Sequence, residues 1–68
     1  MRVSYKKLWK LLIDNDMRKK DLCEAAQISH ASMAKLGKNE NVTTDVLVKI
    51  CNALSCDIGD IMEIVDKE

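Results

Sequence analysis

The sequence contains no proline and only two glycines in 68 residues. Without proline, the residue that most strongly breaks helices is missing, and two glycines leave few flexible connections. No apolar run approaches the roughly 20 residues that span a bilayer, and the N-terminus lacks the layout of a signal peptide. Together with abundant Leu, Ile, Lys and Asp, these absences predict a cytoplasmic bundle of helices with short connections.

Recognisable catalytic motifs are also missing. The sequence has no Gly-rich phosphate loop, no paired-carboxylate arrangement, and no Ser/His/Asp or Cys/His pattern above chance, so we predict that the protein is not an enzyme. A chain of 68 residues has room for one domain, predicted over residues 1–68, and for one small core. We therefore expect no cofactor and no small-molecule ligand.

Three cysteines and one histidine suggest a metal site on paper. Cys23, Cys51, Cys56 and His30 could supply four zinc ligands, but no CxxC or HxxxH spacing is present. Cys23 also falls where small side chains pack the two motif helices, and Cys51 lies among Leu47, Ile50 and Leu54. Buried cysteines that act as small hydrophobic residues are the favoured interpretation, and a cytoplasmic setting disfavours disulfides.

The net charge is zero, but the charges are divided along the chain. Residues 1–38 contain nine Lys or Arg and four Asp or Glu, a net charge of +5, whereas residues 39–68 have a net charge of −5. A basic first half can approach phosphates while the acidic half faces solvent or a partner. Charged runs that are simply solvated surfaces are an equally good explanation of this pattern alone.

The segment from residue 19 to residue 36 has the pattern of two short helices, at about 19–26 and about 30–36. Apolar residues recur at helical spacing within it: Leu22, Cys23 and Ala26 in the first helix, Met33 and Leu36 in the second. Ser29 is a suitable N-cap for the second helix. The outward face of that helix then carries no acid, and its residues are His30, Ala31, Ala34, Lys35 and Lys38.

Leu-Cys-Glu-Ala-Ala-Gln-Ile-Ser at residues 22–29, followed by a helix of small residues, resembles the helix-turn-helix of the Cro/C1-type (XRE) family of DNA-binding regulators. The resemblance continues to Ile61 and so covers nearly the whole chain. It implies an all-α fold, a compact five-helix, lambda repressor-like domain. The sequence departs from the family pattern at Gln27, where a turn glycine is usual, and at Arg18, where a threonine often caps the first motif helix.

Three further helices are predicted around this motif. The first covers about residues 4–15 with Ser4 as its cap, the fourth is capped by Thr43 or Thr44, and the fifth is capped by Asp57. Their apolar residues recur at helical spacing. They should form the rest of the core.

Double-stranded DNA is the partner that the resemblance implies, with the second motif helix in the major groove. His30 and Lys35 are then the main base-reading candidates, Ala31 and Ala34 permit close approach to the bases, and Asn41 matches a loop position from which the family can reach a base. The candidates for phosphate contacts are Lys19, Lys20, Ser29, Ser32, Lys38 and Asn39.

One such module makes few contacts, so we predict a homodimer on a palindromic or direct-repeat operator. The fifth predicted helix has more apolar surface than a small core needs. Its candidates for the dimer interface are Ile58, Ile61, Met62, Ile64 and Val65. The alternative is an antitoxin-like or adaptor module that binds another protein through this acidic, apolar C-terminal region.

Overall fold

Four α-helices and a two-stranded antiparallel sheet make up the computed structural model, which describes residues 1–66. A single turn of 3-10 helix at Ile58–Asp60 precedes the second strand. In chain order the other elements are β1 (Arg2–Ser4), α1 (Lys6–Asp14), α2 (Lys19–Ala26), α3 (His30–Gly37), α4 (Thr44–Leu54) and β2 (Glu63–Val65).

The first helix begins later than the sequence predicts. Ser4 is the last residue of β1, and Tyr5 occupies the N-cap position without a capping side-chain hydrogen bond. The Ser4 hydroxyl instead accepts a hydrogen bond from the backbone N–H of Lys6 at 3.3 Å. Because Val3 pairs with Ile64 of β2, the backbone before Tyr5 is held extended and cannot join the helix.

The start of α2 is stabilised by an acid rather than by a capping residue. Arg18 occupies the N-cap position, and the Asp21 carboxylate accepts a hydrogen bond from the Arg18 backbone N–H at 3.0 Å. The Arg18 Nε also lies 3.6 Å from Asp21 Oδ2. The backbone hydrogen bond from Arg18, followed by the charge of its guanidinium, lowers the pKa of Asp21 below 3.8. A carboxylate in the first turn also suits the helix dipole.

The turn between α2 and α3 uses a left-handed residue without a glycine. Gln27 has φ 57° and ψ 47°, and the next N–H, from Ile28, donates to the Cys23 carbonyl at 3.2 Å, which closes the end of α2. Ser29 then caps α3, since its hydroxyl accepts a hydrogen bond from the Ser32 N–H at 3.1 Å. The predicted motif helices and the predicted Ser29 cap are therefore confirmed, with α3 ending one residue later, at 37.

Helix α4 also begins at a hydroxyl N-cap and ends at a residue in the left-handed conformation. Its N-cap is Thr43, whose hydroxyl accepts a hydrogen bond from the Val46 N–H at 3.3 Å. At its other end Ser55 has φ 54°, and the Cys56 N–H donates to the Cys51 carbonyl at 3.1 Å. Of the two threonines that the sequence offered as caps, Thr43 serves.

The prediction of a fifth α-helix is wrong. Asp57 does act as a cap, with its carboxylate accepting from the Ile58 N–H at 2.8 Å, but the helix it starts is only the turn of 3-10 helix. The chain then extends as β2 and pairs antiparallel with β1. Gly59 weakens a helix at this point and the β-branched Ile64 and Val65 favour an extended strand. The fold is thus mostly helical, with four α-helices rather than five in residues 1–66.

One apolar core joins the four helices, Val3 of β1 and the segment at Ile61. Its fully buried side chains are Tyr5, Leu8, Leu22, Leu36, Ile50 and Ile61. Cys23 and Ala26 of α2 are buried with them, as the helical spacing predicts. No helix in residues 1–66 is long and apolar enough to cross a membrane.

Candidate nucleic-acid interface

Helix α3 has one buried and one exposed face, as its sequence predicts. Leu36 is fully buried and Met33 is half-buried against the core. The opposite face is exposed and carries two lysines, one histidine and no acid. Its exposed residues are His30, Ala31, Ala34, Lys35 and Lys38. A small, cationic helix surface of this kind can approach a polyanion closely, because no large or acidic side chain stands in the way.

His30, the first residue of α3, lies next to a buried thiol. Its Nδ1 is 4.0 Å from Cys23 Sγ, and the same sulfur donates a hydrogen bond to the Ile28 carbonyl at 3.1 Å. The contact turns the Nδ1 edge of the ring toward the protein. His30 Nε2 is therefore the ring nitrogen that can reach a ligand, as donor or acceptor according to the tautomer.

Ser29 and Ser32 already have local partners. The Ser29 hydroxyl accepts from the Ser32 N–H and lies 3.1 Å from the Ser32 hydroxyl, to which it donates. Ser32 is half-buried. Both were predicted to contact phosphates, and that role stays a prediction, but the primary role of Ser29 in this structure is to begin α3.

Two exposed lysines begin α2. Lys19 and Lys20 are the first two residues of α2, where backbone N–H groups have no partner within the helix. Lys19 Nζ lies 4.5 Å from the centroid of the Trp9 ring of α1. A positive charge at a helix N-terminus, held by an aromatic ring, suits an anionic group such as a phosphate.

The loop after α3 is tied to the start of α1 by two hydrogen bonds. The Tyr5 N–H donates to Asn39 Oδ1 at 3.1 Å, and the Tyr5 hydroxyl donates to the Glu40 carbonyl at 2.9 Å. The Asn39 side-chain oxygen is thus engaged within the protein, which alters the simple phosphate contact predicted for it. Sequence patterns did not predict that Tyr5 binds this loop, because its hydrogen-bond partners lie 34 and 35 residues away and leave no local signal.

Lys38 and Asn41 lie on either side of this tie, and both are exposed. The backbone of the loop is also joined to α3, because the Glu40 N–H donates to the Lys35 carbonyl at 2.9 Å. The structure therefore joins the loop that carries the predicted contacts to the C-terminal end of α3. Asn41 as a base-reading residue stays a prediction.

Of the apolar residues predicted to form a dimer interface, one is buried in the core and the others are exposed or half-buried. Ile61 is 0% exposed and belongs to the core, so it cannot form an intersubunit surface in this fold. Ile64 on β2 is 61% exposed and Ile58 is 38% exposed. Met62 and Val65 are half-buried. A partner could therefore contact the other four residues, Ile58, Met62, Ile64 and Val65, but not Ile61.

The cysteines do not gather into a cluster of metal ligands. Residues 1–66 include no group of three or more His, Cys, Asp or Glu side chains placed to hold a metal ion. Cys23 is buried, while Cys51 and Cys56 are half-buried. Burial, and next the neighbouring Cys51, raises the pKa of Cys56 to about 11, so its thiol is protonated near neutral pH.

Comparison with known proteins bears on this surface. Residues 7–67 match the family model of the Cro/C1-type helix-turn-helix DNA-binding domain. Among solved structures, the chain is similar to the crystal structure of the transcriptional regulator VanUg, form II, with 59% sequence identity and a TM-score of 0.93. That match covers 97% of this chain and 88% of the VanUg chain. No curated protein matches the chain at a significant level.

Proposed function

The chain belongs to the Cro/C1-type helix-turn-helix DNA-binding domain family, and from that premise we propose that it is a transcriptional regulator that binds specific operator sequences. The observation that carries the proposal is the exposed, acid-free face of α3, which bears Lys35 and Lys38, together with the exposed Lys19 and Lys20 at the start of α2. The 59% identity to a transcriptional regulator over nearly the whole chain supports it.

In this proposal α3 enters the major groove with its N-terminal end toward the bases. Lys35 donates to guanine O6 and N7, and His30 donates to a base acceptor through Nε2. Ala31 and Ala34 allow the helix to approach the bases and can contact a thymine methyl group. Asn41 reaches a base edge from the loop.

Phosphate contacts set the position of the helix in the groove. Lys19 and Lys20 neutralise one stretch of backbone from the start of α2, and Lys38 neutralises another from the end of α3. Residues 1–38, which include every one of these groups, have a net charge of +5, so the field of this half also steers the encounter with DNA.

We further propose that the protein binds two half-sites as a homodimer, since one α3 reads only a few base pairs. The exposed apolar side chains of Ile58 and Ile64, near the acidic C-terminal end, are the surface that a second copy would cover. Replacing Ile64 with Lys should lower the dimer fraction measured by sedimentation. The matched control is Ile13→Lys, because Ile13 is 73% exposed on α1 and its replacement should leave the dimer intact.

The test of the main proposal is selection of bound duplexes from a randomised DNA library, followed by fluorescence anisotropy on the enriched sequence. We expect one enriched motif, tighter binding to it than to random duplex, and a steep loss of affinity with salt, because phosphate neutralisation releases counterions. Failure to enrich any motif would contradict the proposal. Salt-insensitive binding to a protein would instead favour the adaptor alternative.

A further inference from the structure

Tyr5 joins two parts of the molecule that are far apart in sequence. Its backbone N–H and its hydroxyl bind consecutive residues of the loop after α3, Asn39 and Glu40, at 3.1 Å and 2.9 Å. One residue thus holds the loop through both its main chain and its side chain. We call these two hydrogen bonds the Tyr5 clamp.

The clamp is built from rigid parts. Tyr5 is 2% exposed, so its ring is fixed by the core. Its hydroxyl is protonated at neutral pH, as in any tyrosine, and burial raises the pKa further, above 10.0. Asn39 has φ 57°, a left-handed conformation that Asn tolerates better than most residues. Its backbone makes the turn while its side-chain oxygen accepts the Tyr5 N–H, which would otherwise lack a capping partner.

The clamped loop is also attached to the end of α3. The Asn39 N–H donates to the Leu36 carbonyl at 3.2 Å, and the Glu40 N–H donates to the Lys35 carbonyl at 2.9 Å. Lys38 and Asn41 flank the clamped residues and are exposed. The start of α1, the loop and the end of α3 therefore form one connected unit.

We propose that Tyr5 and Asn39 are positioning residues for DNA binding: they hold the loop so that Lys38 and Asn41 meet the DNA in a fixed relation to α3. This inference rests on the proposed function. A loop that is already ordered loses less conformational entropy when it binds, so affinity is higher than for the same contacts on a mobile loop. Tyr5 is buried and acts only through the loop.

Two substitutions release the clamp with little other change. Tyr5→Phe keeps the buried ring and removes the bond to the Glu40 carbonyl. Asn39→Gly keeps the left-handed conformation and removes the acceptor of the Tyr5 N–H. We expect each to weaken binding to the selected operator by about 3- to 10-fold, which corresponds to losing the net contribution of about one hydrogen bond that orders the loop.

A double-mutant cycle separates positioning from general stability. In a Lys38→Ala, Asn41→Ala background the loop contacts are gone, so adding Tyr5→Phe should weaken binding no further. Ile50→Val is the matched control, because it trims a fully buried side chain of α4. That variant should lower the melting temperature and leave operator affinity unchanged at temperatures where all the proteins are folded.

Three outcomes would overturn the inference. Unchanged operator affinity in both clamp variants would show that the clamp does not position the loop. An undiminished effect of Tyr5→Phe in the Lys38→Ala, Asn41→Ala background would assign Tyr5 a purely structural role. Absence of sequence-selective binding by the wild-type protein would overturn the proposed function together with the clamp, and so is distinguishable from the other two.

Discussion

Lys19 Nζ lies 4.5 Å from the centroid of the Trp9 ring, so a cation on the first turn of α2 rests against an aromatic side chain of α1. Such a contact at an exposed site contributes about 0.5–1 kcal/mol. It also holds the ammonium group close to the N-terminus of α2, where we propose that a phosphate binds. Trp9 is the only tryptophan in the sequence, so the tryptophan fluorescence of the protein comes from this one site.

Replacing Lys19 with Gln should weaken binding to operator and random duplex alike. The phosphate contact is lost but no base is read, so the slope of log affinity against log salt should fall by about 1. Affinity measured at several salt concentrations on both duplexes checks this. Lys49→Gln is the matched control, because Lys49 pairs with Asp45 on α4 at 3.1 Å and lies outside the motif. An equal change of slope in both variants would contradict a specific contact at Lys19.

Replacing Gln27 with Gly should stabilise the protein by about 0.5–1 kcal/mol. Gln27 has φ 57°, which is strained for a residue with a side chain, and the relief outweighs the greater entropy of Gly in the unfolded chain. Urea denaturation with an unchanged slope checks the free energy of unfolding. Ala25→Gly within α2 is the control and should destabilise by about 0.5–1 kcal/mol. A loss of stability in Gln27→Gly would show that no strain is stored at this turn.

The sequence was sufficient for the parts of the fold that depend on local physics. The apolar spacing and the cap at Ser29 predicted both motif helices, and the pair Thr43 and Thr44 predicted the start of α4, where Thr43 is the cap. The outward face of α3 followed from the same spacing, because a residue's neighbours along one helix decide which side it faces. A family resemblance then gave that face a proposed ligand.

The remaining features depend on contacts between distant parts of the chain. Val3 and Ile64 pair across the molecule, and this pairing turns the predicted fifth helix into a strand and delays the start of α1. Tyr5 likewise finds its partners 34 and 35 residues away. Periodicity within a window of one helix cannot detect such pairs, and an apolar residue such as Ile61 carries no local mark that distinguishes core from interface.

The Asp21 carboxylate should make the stability of the protein depend on pH. Its pKa in the folded state is held below 3.8, chiefly by the hydrogen bond from the Arg18 N–H, so folding favours the deprotonated form. Its contribution is therefore present above pH 3.8 and is lost as the pH falls through the lowered pKa. Melting temperatures of wild type and Asp21→Asn should differ at about pH 6 and converge at about pH 2. A difference that stays constant with pH would contradict this account.

Replacing Lys35 with Ala tests the proposed recognition face most directly. Lys35 is exposed on α3, its side chain forms no hydrogen bond or ion pair within residues 1–66, and Ala favours a helix, so the variant should fold normally. We expect affinity for the selected operator to fall by about 1–3 kcal/mol and the preference at one base pair to relax. Affinity for random duplex should change much less.

The pattern of loss across sequences identifies the role of Lys35, and anisotropy on the operator and on its single-base variants measures it. A loss confined to duplexes with the preferred base pair means that Lys35 reads that base. A uniform loss, like the one expected for Lys19→Gln, means a phosphate contact and moves base reading to His30 and Asn41. Unchanged affinity and preference would place the recognition surface somewhere other than the exposed face of α3, since a cation at its centre would then touch no DNA.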